Sequence, residues 1–362
     1  MTHEAFAHSS GAHTGSRAEP EQLLGGDFGP DGSGMQRGPA RRFASLLAFA
    51  ILTINAGLTA NGQLALREAS QNKPEPGSFS VEVQDAQGSP VAVVDMRAAK
   101  SKPPAAEFTF DRQYQPGDRI AFTGAGWMAV RMDDTQPECM IYVPTVSSSK
   151  LTYEIPYGRA EKETGSAYEP ESFAGPSHRV QLRGLKKREI SRYRNLALNP
   201  CDLPRNEQQA VQFFPHASSN SVSRSLFDFE ARNAIDGVSQ NGHHGVWPYQ
   251  SWGPQLRTDI WWKLDFGRMV QLNKIRLMVR ADFPHDSYWK SATIEFSDGS
   301  SVPLQIAKSD AFQEFPFPRR RISWLRIANV VPEDPSKWCS FIEVQAWGKD
   351  LPAEAAASIR SE

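Results

Sequence analysis

Apolar and polar residues alternate over short stretches from residue 79 onwards, which is the pattern of half-buried β-strands. Residues 79–84 alternate in this way, and so do residues 274–280, where the alternation predicts that Arg280 points away from the apolar face. Turn sequences separate such stretches. In residues 115–118 a proline presets φ and the following glycine tolerates positive φ. Only residues 185–193 are predicted to form a helix, a short one, so the pattern predicts an all-β protein.

Changes in composition divide the chain into segments, and two of them have the strand pattern of a β-sandwich. We predict, in order, a disordered leader (1–34), a signal peptide or signal anchor (35–62), a linker (63–77), a small β-sandwich domain (78–156), a connector (157–194), a second β-sandwich domain (195–348) and a polar tail (349–362).

The signal segment consists of a basic flank at residues 36–42 and an uncharged, mostly apolar run at residues 43–60. This combination is typical of a signal peptide or a signal anchor, so a secreted or cell-envelope protein is expected. Membrane attachment is expected only if residues 43–60 remain uncleaved. The alternative is a stray amphipathic helix in an unstructured leader, and a cytoplasmic protein is expected if the segment is not a functional signal. The run begins far from Met1, and a start at Met35 would give the usual spacing.

Charge and cysteine content exclude some classes of function. The chain has 40 Lys plus Arg and 41 Asp plus Glu, a formal charge of -1, so nucleic acid is not an expected partner. Its three cysteines, Cys139, Cys201 and Cys339, are too few and too scattered to predict a disulfide framework or a zinc site. We expect them to be buried or incidental thiols.

Residues 195–348 contain five short motifs whose order is more specific than any one of them. They are Asn195-Leu196-Ala197-Leu198-Asn199, Asn233-Ala234-Ile235-Asp236-Gly237, Trp261-Trp262-Lys263-Leu264-Asp265-Phe266-Gly267, Phe296-Ser297-Asp298-Gly299 and Ile342-Glu343-Val344-Gln345-Ala346-Trp347-Gly348. This segment resembles a discoidin-type domain, also called the coagulation factor V/VIII type C domain, whose fold the family-32 carbohydrate-binding modules share. Residues 215–217 and 247–253 depart from the common version and resemble bacterial carbohydrate-binding proteins. The resemblance implies a galactose-binding-like jelly roll that binds glycans through loops and often holds a structural calcium ion.

The turn-rich stretch from residue 214 to 253 and the loop after residue 279 contain residue types that bind sugars. Aromatic rings stack on the apolar C–H faces of a sugar, and charged or amide groups bind its hydroxyls. The candidate ligand-binding residues are His216, Asn220, Trp247, Tyr249, Trp252, Arg280, Asp282, His285 and Asp286. Trp252 is predicted to be the stacking platform, with Arg280 and Asp282 as polar clamps. The alternative is that the tryptophans fill the core and that Arg280 and Asp282 form a local ion pair.

A possible metal site begins at Asp236, which lies beside Gly237 in a predicted tight turn. Such turns expose carbonyl oxygens beside a carboxylate, and these are ligands that calcium prefers. The family resemblance adds Glu343 from the last strand. The alternative is that Asp236 only caps its own turn.

We therefore predict non-catalytic glycan binding. The sequence has no nucleophile elbow, P-loop or dinucleotide-binding motif. One alternative is a hydrolase or lyase acting on glycans, with the N-terminal sandwich contributing to its active site. Another is an adhesion or scaffold protein that binds protein or lipid, although the Asp- and His-rich loop at residues 280–286 argues against lipid.

Overall fold

The computed structural model describes residues 79–95, 105–144, 151–156, 167–203, 213–225, 227–243, 245–281 and 286–351. The predicted leader, signal segment and linker lie outside these residues, as do Asp282 and His285. Within the described ranges, no helix combines the length and the apolar character needed to cross a membrane.

The described part of the chain is built mainly from antiparallel strands, as predicted. The strands are β1 (Phe79–Gln84), β2 (Pro90–Asp95), β3 (Ala105–Asp111), β4 (Arg119–Gly124), β5 (Gly126–Arg131), β6 (Cys139–Val143), β7 (Leu151–Glu154), β8 (Ser177–Gly184), β9 (Arg194–Asn195), β10 (His216–Ser219), β11 (Trp262–Val279), β12 (Trp289–Phe296), β13 (Ser301–Gln305), β14 (Gln313–Pro332) and β15 (Phe341–Asp350). The helix α1 (Lys187–Ser191) lies within the predicted helical stretch, and 3₁₀ turns cover Ser223–Ser225, Phe227–Phe229 and Ala231–Ala234.

The N-terminal strands form two four-stranded antiparallel sheets, in the orders β2-β1-β4-β7 and β3-β8-β5-β6. Alternate residues of both sheets are buried in one shared core, as Val81 and Val83 of β1 and Val180 and Leu182 of β8 show. The predicted turn at residues 115–118 is present, because Asp118 N donates to Gln115 O. The alternation of apolar and polar residues therefore predicts correctly which of these side chains are buried.

The C-terminal strands form one seven-stranded sheet with the order β13-β12-β14-β11-β15-β9, in which β10 also pairs with β11. The pairing of β11 with β14 shifts register between Asp265 and Val270 and again between Leu272 and Lys274. Such irregularities bend a long strand. A second core cluster lies against this sheet. The all-β fold class is confirmed, and the division into two sandwich domains stays a prediction.

The bend in β11 explains why a glycine ends the motif at residues 261–267. Gly267 has a φ of +64°, which favours glycine. A Cβ there would lie 2.3 Å from the ring of Phe214. Any larger residue would displace Phe214, whose backbone pairs with Tyr142 of β6.

A disulfide joins Cys139 of β6 to Cys201, and the two cysteines are separated by 62 positions in the sequence. The prediction that both are thiols was wrong. The pairing of Tyr142 with Phe214 brings the two chain segments together, and the local cysteine spacing carries no sign of it. Cys339 is a buried free thiol, as expected.

Candidate functional site

Residues 245–249, the aromatic loop, lie beside the end of β11. Tyr249 N donates to Val246 O in a turn, and the guanidinium of Arg280 donates from Nη2 to Tyr249 O at 2.7 Å. Nearby, Asn241 Nδ2 donates to Val279 O at 3.2 Å. These hydrogen bonds attach a turn-rich segment to the strand end, so its conformation does not depend on its own weak local preferences.

The aromatic loop presents apolar and aromatic side chains at the surface. Val246 is 57% exposed, and Trp247 and Tyr249 are half-buried. The ring of His243 lies 5.6 Å from that of Tyr249. Partly exposed aromatic rings on an anchored loop form an efficient contact surface. The roles of Trp247 and Tyr249 in ligand binding stay predictions.

Trp252 is not part of this surface, so its prediction as a stacking platform was wrong. Its exposure is 0%, and its indole Nε1 donates to Ser221 O at 3.1 Å. Its ring centroid lies 5.4 Å from that of Trp289 and 5.4 Å from that of Phe341. The three rings form a buried aromatic cluster beneath the loops, which matches the alternative in which tryptophans fill the core.

Arg280 is also buried, at 1% exposure, so the prediction of an exposed polar clamp was wrong. Its Nε lies 3.9 Å from Asp286 Oδ2, and burial lowers the pKa of its guanidinium to about 10, against the opposing charge of Asp286. An arginine in this position fixes the aromatic loop to the following segment. Its ion pair is with Asp286, whereas the predicted partner Asp282 lies outside the described residues together with His285.

His216 and Asn220 hold the fold together through their side chains. His216 is buried on β10, and its Nδ1 is 2.7 Å from Asp202 Oδ1. This burial argues against the prediction that His216 is a ligand-binding residue. Asn220 accepts a hydrogen bond from Trp261 N and donates one to Asp259 O, both at 2.8 Å. The roles of Asn220 and Asp286 toward a ligand stay predictions.

A cleft beside the segment that leads into β15 was missed by the sequence analysis. Its lining residues are Pro254, Gln255, Leu256, Arg257, Thr258, Ile260, Trp289, Pro332, Pro335, Lys337 and Cys339. Leu256 is 49% exposed, and Arg257 is oriented by a hydrogen bond from its Nε to Asp259 Oδ1 at 2.8 Å. Trp289 joins the cleft to the buried aromatic cluster. The sequence signal for this cleft is Leu256 followed by Arg257 in a polar turn, shortly after residues 214–253.

Asp236 and Glu343 are buried and close to each other. Asp236 Oδ1 accepts from Val238 N and its Oδ2 accepts from Gln250 Nε2, each at 2.8 Å. Gly237 N donates to Glu343 Oε2 at 3.3 Å. Glu343 Oε1 and Gln250 Oε1 are buried and have no hydrogen-bond partner within the described residues. Asp236 therefore caps its own turn, as the alternative predicted. The Oε1 atoms of Glu343 and Gln250 take no part in this cap.

The electrostatics of this pair would suit a cation. Burial raises the pKa of Asp236 to about 6, although the buried Arg232 partly opposes the shift. Burial also raises the pKa of Glu343, and the nearby Asp236 adds to that shift. Within the described ranges no group of three or more His, Cys, Asp or Glu residues is placed to hold a metal. An ion here would take its other ligands from amide or backbone oxygens, which suits calcium.

No family model matches this chain, and the search of curated proteins found no match. Solved structures of carbohydrate-binding modules do match part of it. Chitosan-binding module 1 of a chitosanase/glucanase from Paenibacillus sp. IK-5 has 21% identity and a TM-score of 0.31, covering 43% of this chain and 99% of the module. A Streptococcus pneumoniae fucose binding module, SpX-3, has 16% identity and a TM-score of 0.32 over 43% of this chain and 99% of the module. The family 32 module of NanJ from C. perfringens, in complex with galactose, has 13% identity and a TM-score of 0.28, covering 36% of this chain and 91% of the module.

Proposed function

We propose that the protein binds glycans at the loop end of its C-terminal sheet, through the aromatic loop and the adjoining cleft. One observation carries the proposal: Trp247 and Tyr249 lie partly exposed on a loop that the buried Arg280 holds in place. A prearranged aromatic surface loses little conformational entropy when a ligand stacks on it, so most of the contact energy is available for binding.

Polar groups at the same end complement the aromatic rings. Gln255, Arg257 and Lys337 line the cleft and would bind sugar hydroxyls, while Leu256 would contact an apolar sugar face. Asp282 and His285 follow Arg280 in the sequence and keep their predicted roles, Asp282 as a polar clamp and His285 as a further ligand-binding residue. In this proposal the buried arginine acts indirectly, by orienting the surface that meets the ligand.

The proposed mode is binding without catalysis. At this end Asp259 is bound by Arg257, which lowers the pKa of its carboxyl group, and Asp286 Oδ2 lies 3.9 Å from Arg280 Nε. A glycosidase instead needs a pair of carboxyl groups, one of them protonated, on either side of the scissile bond.

Substitution of the two partly exposed aromatic residues should separate binding from folding. Trp247→Ala and Tyr249→Ala are each expected to weaken glycan binding at least tenfold, since loss of a central aromatic contact commonly costs about 2 kcal/mol or more. The thermal midpoint should stay near that of the parent, because neither ring is in the core. The full chain is first screened on a glycan array, and affinities for the best ligand are then measured by titration.

Trp324→Ala is the matched control, a half-buried tryptophan on β14 whose ring lies near Lys263. It should bind the selected glycan as the parent does. The proposal fails if no glycan on the array is bound, or if both loop variants retain full affinity.

We also propose that Asp236 and Glu343 hold a structural calcium ion. Its support is the pair of buried carboxylates, together with the unpartnered Oε1 atoms of Glu343 and Gln250. The ion would neutralise both charges and attach the loop after Asp236 to β15. Calcium in this position would stabilise the segment that leads into the aromatic loop.

Export is the third part of the proposal. The Cys139–Cys201 disulfide supports it, because such bonds persist in oxidising compartments. Native protein should therefore begin shortly after Ala60 and carry this bond. Intact-mass analysis should find one alkylated cysteine in the denatured protein without reductant and three after reduction. Native protein that retains residues 43–60 in a membrane fraction would indicate an anchor, and a soluble product with this run and three free thiols would contradict export.

A further inference from the structure

Two adjoining clefts lie along α1 and the residues that follow it, far in sequence from the loop end. The first is lined by Ala105, Arg183, Lys186, Arg188, Glu189 and Arg192. The second has a volume of about 390 Å³ and includes Glu138, Arg192, Tyr193, Arg194, Arg268 and Trp347. Arg192 lines both clefts, so they form one continuous surface, here called the connector groove. A volume of this size is within the range of ligand pockets.

The connector groove has an excess of positive charge. Its lining contains six basic side chains, and its two acidic ones, Glu138 and Glu189, are both bound by Arg183 at 2.6 and 3.0 Å. Arg188 and Arg192 are exposed and four positions apart, and neither has an acidic partner within the described ranges. Two guanidinium groups are therefore available to a ligand from one side of α1.

The floor of the groove adds to this charge. Arg194 and Arg268 share one carboxylate, Asp350, at 2.8 and 2.6 Å. Burial lowers the pKa of both guanidiniums, and Asp350 opposes the shift in each. Arg194 Nη1 has no hydrogen-bond partner within the described part of the chain. One carboxylate cannot balance two guanidiniums, so the field at the floor favours an anion.

An aromatic wall completes the groove. Tyr193 is 44% exposed, yet its hydroxyl donates to Asn273 Oδ1 at 2.9 Å, which restrains the ring. Its ring centroid lies 5.9 Å from that of Trp347, whose Nε1 donates to Gln345 Oε1 at 3.0 Å. A restrained, exposed ring beside cations suits a ligand with both an apolar face and a negative group.

We propose that the connector groove is a second ligand site, which binds an acidic polysaccharide through its carboxylate or sulfate groups. Guanidinium groups pair with both anions in bidentate geometry, and the Tyr193 ring would stack on the sugar. The anion preference rests on the groove alone. The choice of a sugar as the carrier of the anion rests on the proposed glycan-binding function.

The test uses the full chain and four polymers: polygalacturonate, dextran sulfate, neutral dextran and a single-stranded thymidine oligonucleotide. Binding is measured by titration at several salt concentrations. At least one acidic polysaccharide should bind, and neutral dextran should not. Comparison of polygalacturonate with dextran sulfate shows whether the groove prefers carboxylate or sulfate groups. Arg188→Ala/Arg192→Ala should weaken binding at least fivefold and reduce its salt dependence, as expected when two cationic contacts are lost. Tyr193→Ala should weaken it at least threefold without changing the salt dependence.

A matched control separates this site from other surface charge. Arg319→Ala removes an exposed arginine on β14 and should leave binding of the acidic polymer unchanged. If the full chain binds an acidic polymer at the connector groove but binds no glycan at the loop end, only the proposed function is contradicted. Failure of both acidic polysaccharides to bind would overturn the groove site. So would equal affinity for the oligonucleotide with no effect of Tyr193→Ala, since that result describes a nonspecific basic surface.

Discussion

Trp252→Ala is expected to lower the free energy of unfolding by about 3–5 kcal/mol, the usual cost of truncating a buried aromatic residue. Trp252 is fully buried and contacts two other rings, Trp289 and Phe341. Removal of the indole would leave a cavity between them and deprive Ser221 O of its hydrogen bond from Nε1. Denaturant unfolding of the full chain, followed by tryptophan fluorescence, measures the loss directly.

Trp247→Ala is the matched comparison, because it removes the same side chain from the same segment at a half-buried position. Its free energy of unfolding should change by less than about 1 kcal/mol, since surface substitutions away from special features cost little. A stable Trp252→Ala protein that has lost glycan binding would reverse the assignment and make Trp252 a ligand contact.

The contrast between these two tryptophans shows where sequence analysis stops. Strand alternation has a fixed period, so the burial of Val81 and Val83 follows from the chain itself. The segment from Trp247 to Trp252 has no such period. The burial of Trp252 depends on a partner from β15, Phe341, which pairs with it across the fold. Composition could predict that aromatic rings cluster here, but not which ring is buried.

The burial of Arg280 shows that one register shift between paired strands can invalidate a prediction made from strand alternation. The alternation of residues 274–280 predicts an outward Arg280, but the pairing of β11 with β15 shifts register between Met278 and Val279. The side chains on both faces of the strand end are then buried, and Arg280 becomes an anchor for Tyr249 O. Register shifts depend on the partner strand, so a single strand's sequence does not reveal them.

Basic residues in the connector were visible in the sequence, but their arrangement was not. Arg192 and Arg194 belong to a short charged run, which is ordinarily a solvated face. The folded chain brings Arg268 and Asp350 beneath them and Trp347 beside them, from strands β11 and β15. The groove therefore exists only after the seven-stranded sheet has formed.

Removal of calcium is expected to lower the melting temperature of the full chain by about 5–10 °C. An ion present at a hundred times its dissociation constant stabilises the folded state by about 2.7 kcal/mol. A domain of this size shifts by about 2–4 °C per kcal/mol. Thermal unfolding in a chelator, and again after calcium is restored, measures the change. Magnesium should restore little, because it prefers a smaller octahedral shell with bound waters.

The pH dependence of the chelated protein gives a second and sharper test. The pKa of Asp236 is raised by burial from 3.8 to about 6, so its ionisation opposes folding. The contribution of Asp236 to the free energy of unfolding should be greatest below about pH 4 and should decline as the pH rises through about 6. Glu343, whose pKa is also raised, should act in the same direction. Calcium should abolish the decline, since the ion compensates both carboxylates. Glu343→Gln keeps the size of the side chain but removes its charge, so it should flatten the decline and abolish the calcium response. If melting temperature is the same with chelator and with calcium at pH 7.5, and Glu343→Gln melts like the parent, Asp236 and Glu343 serve the fold without a metal.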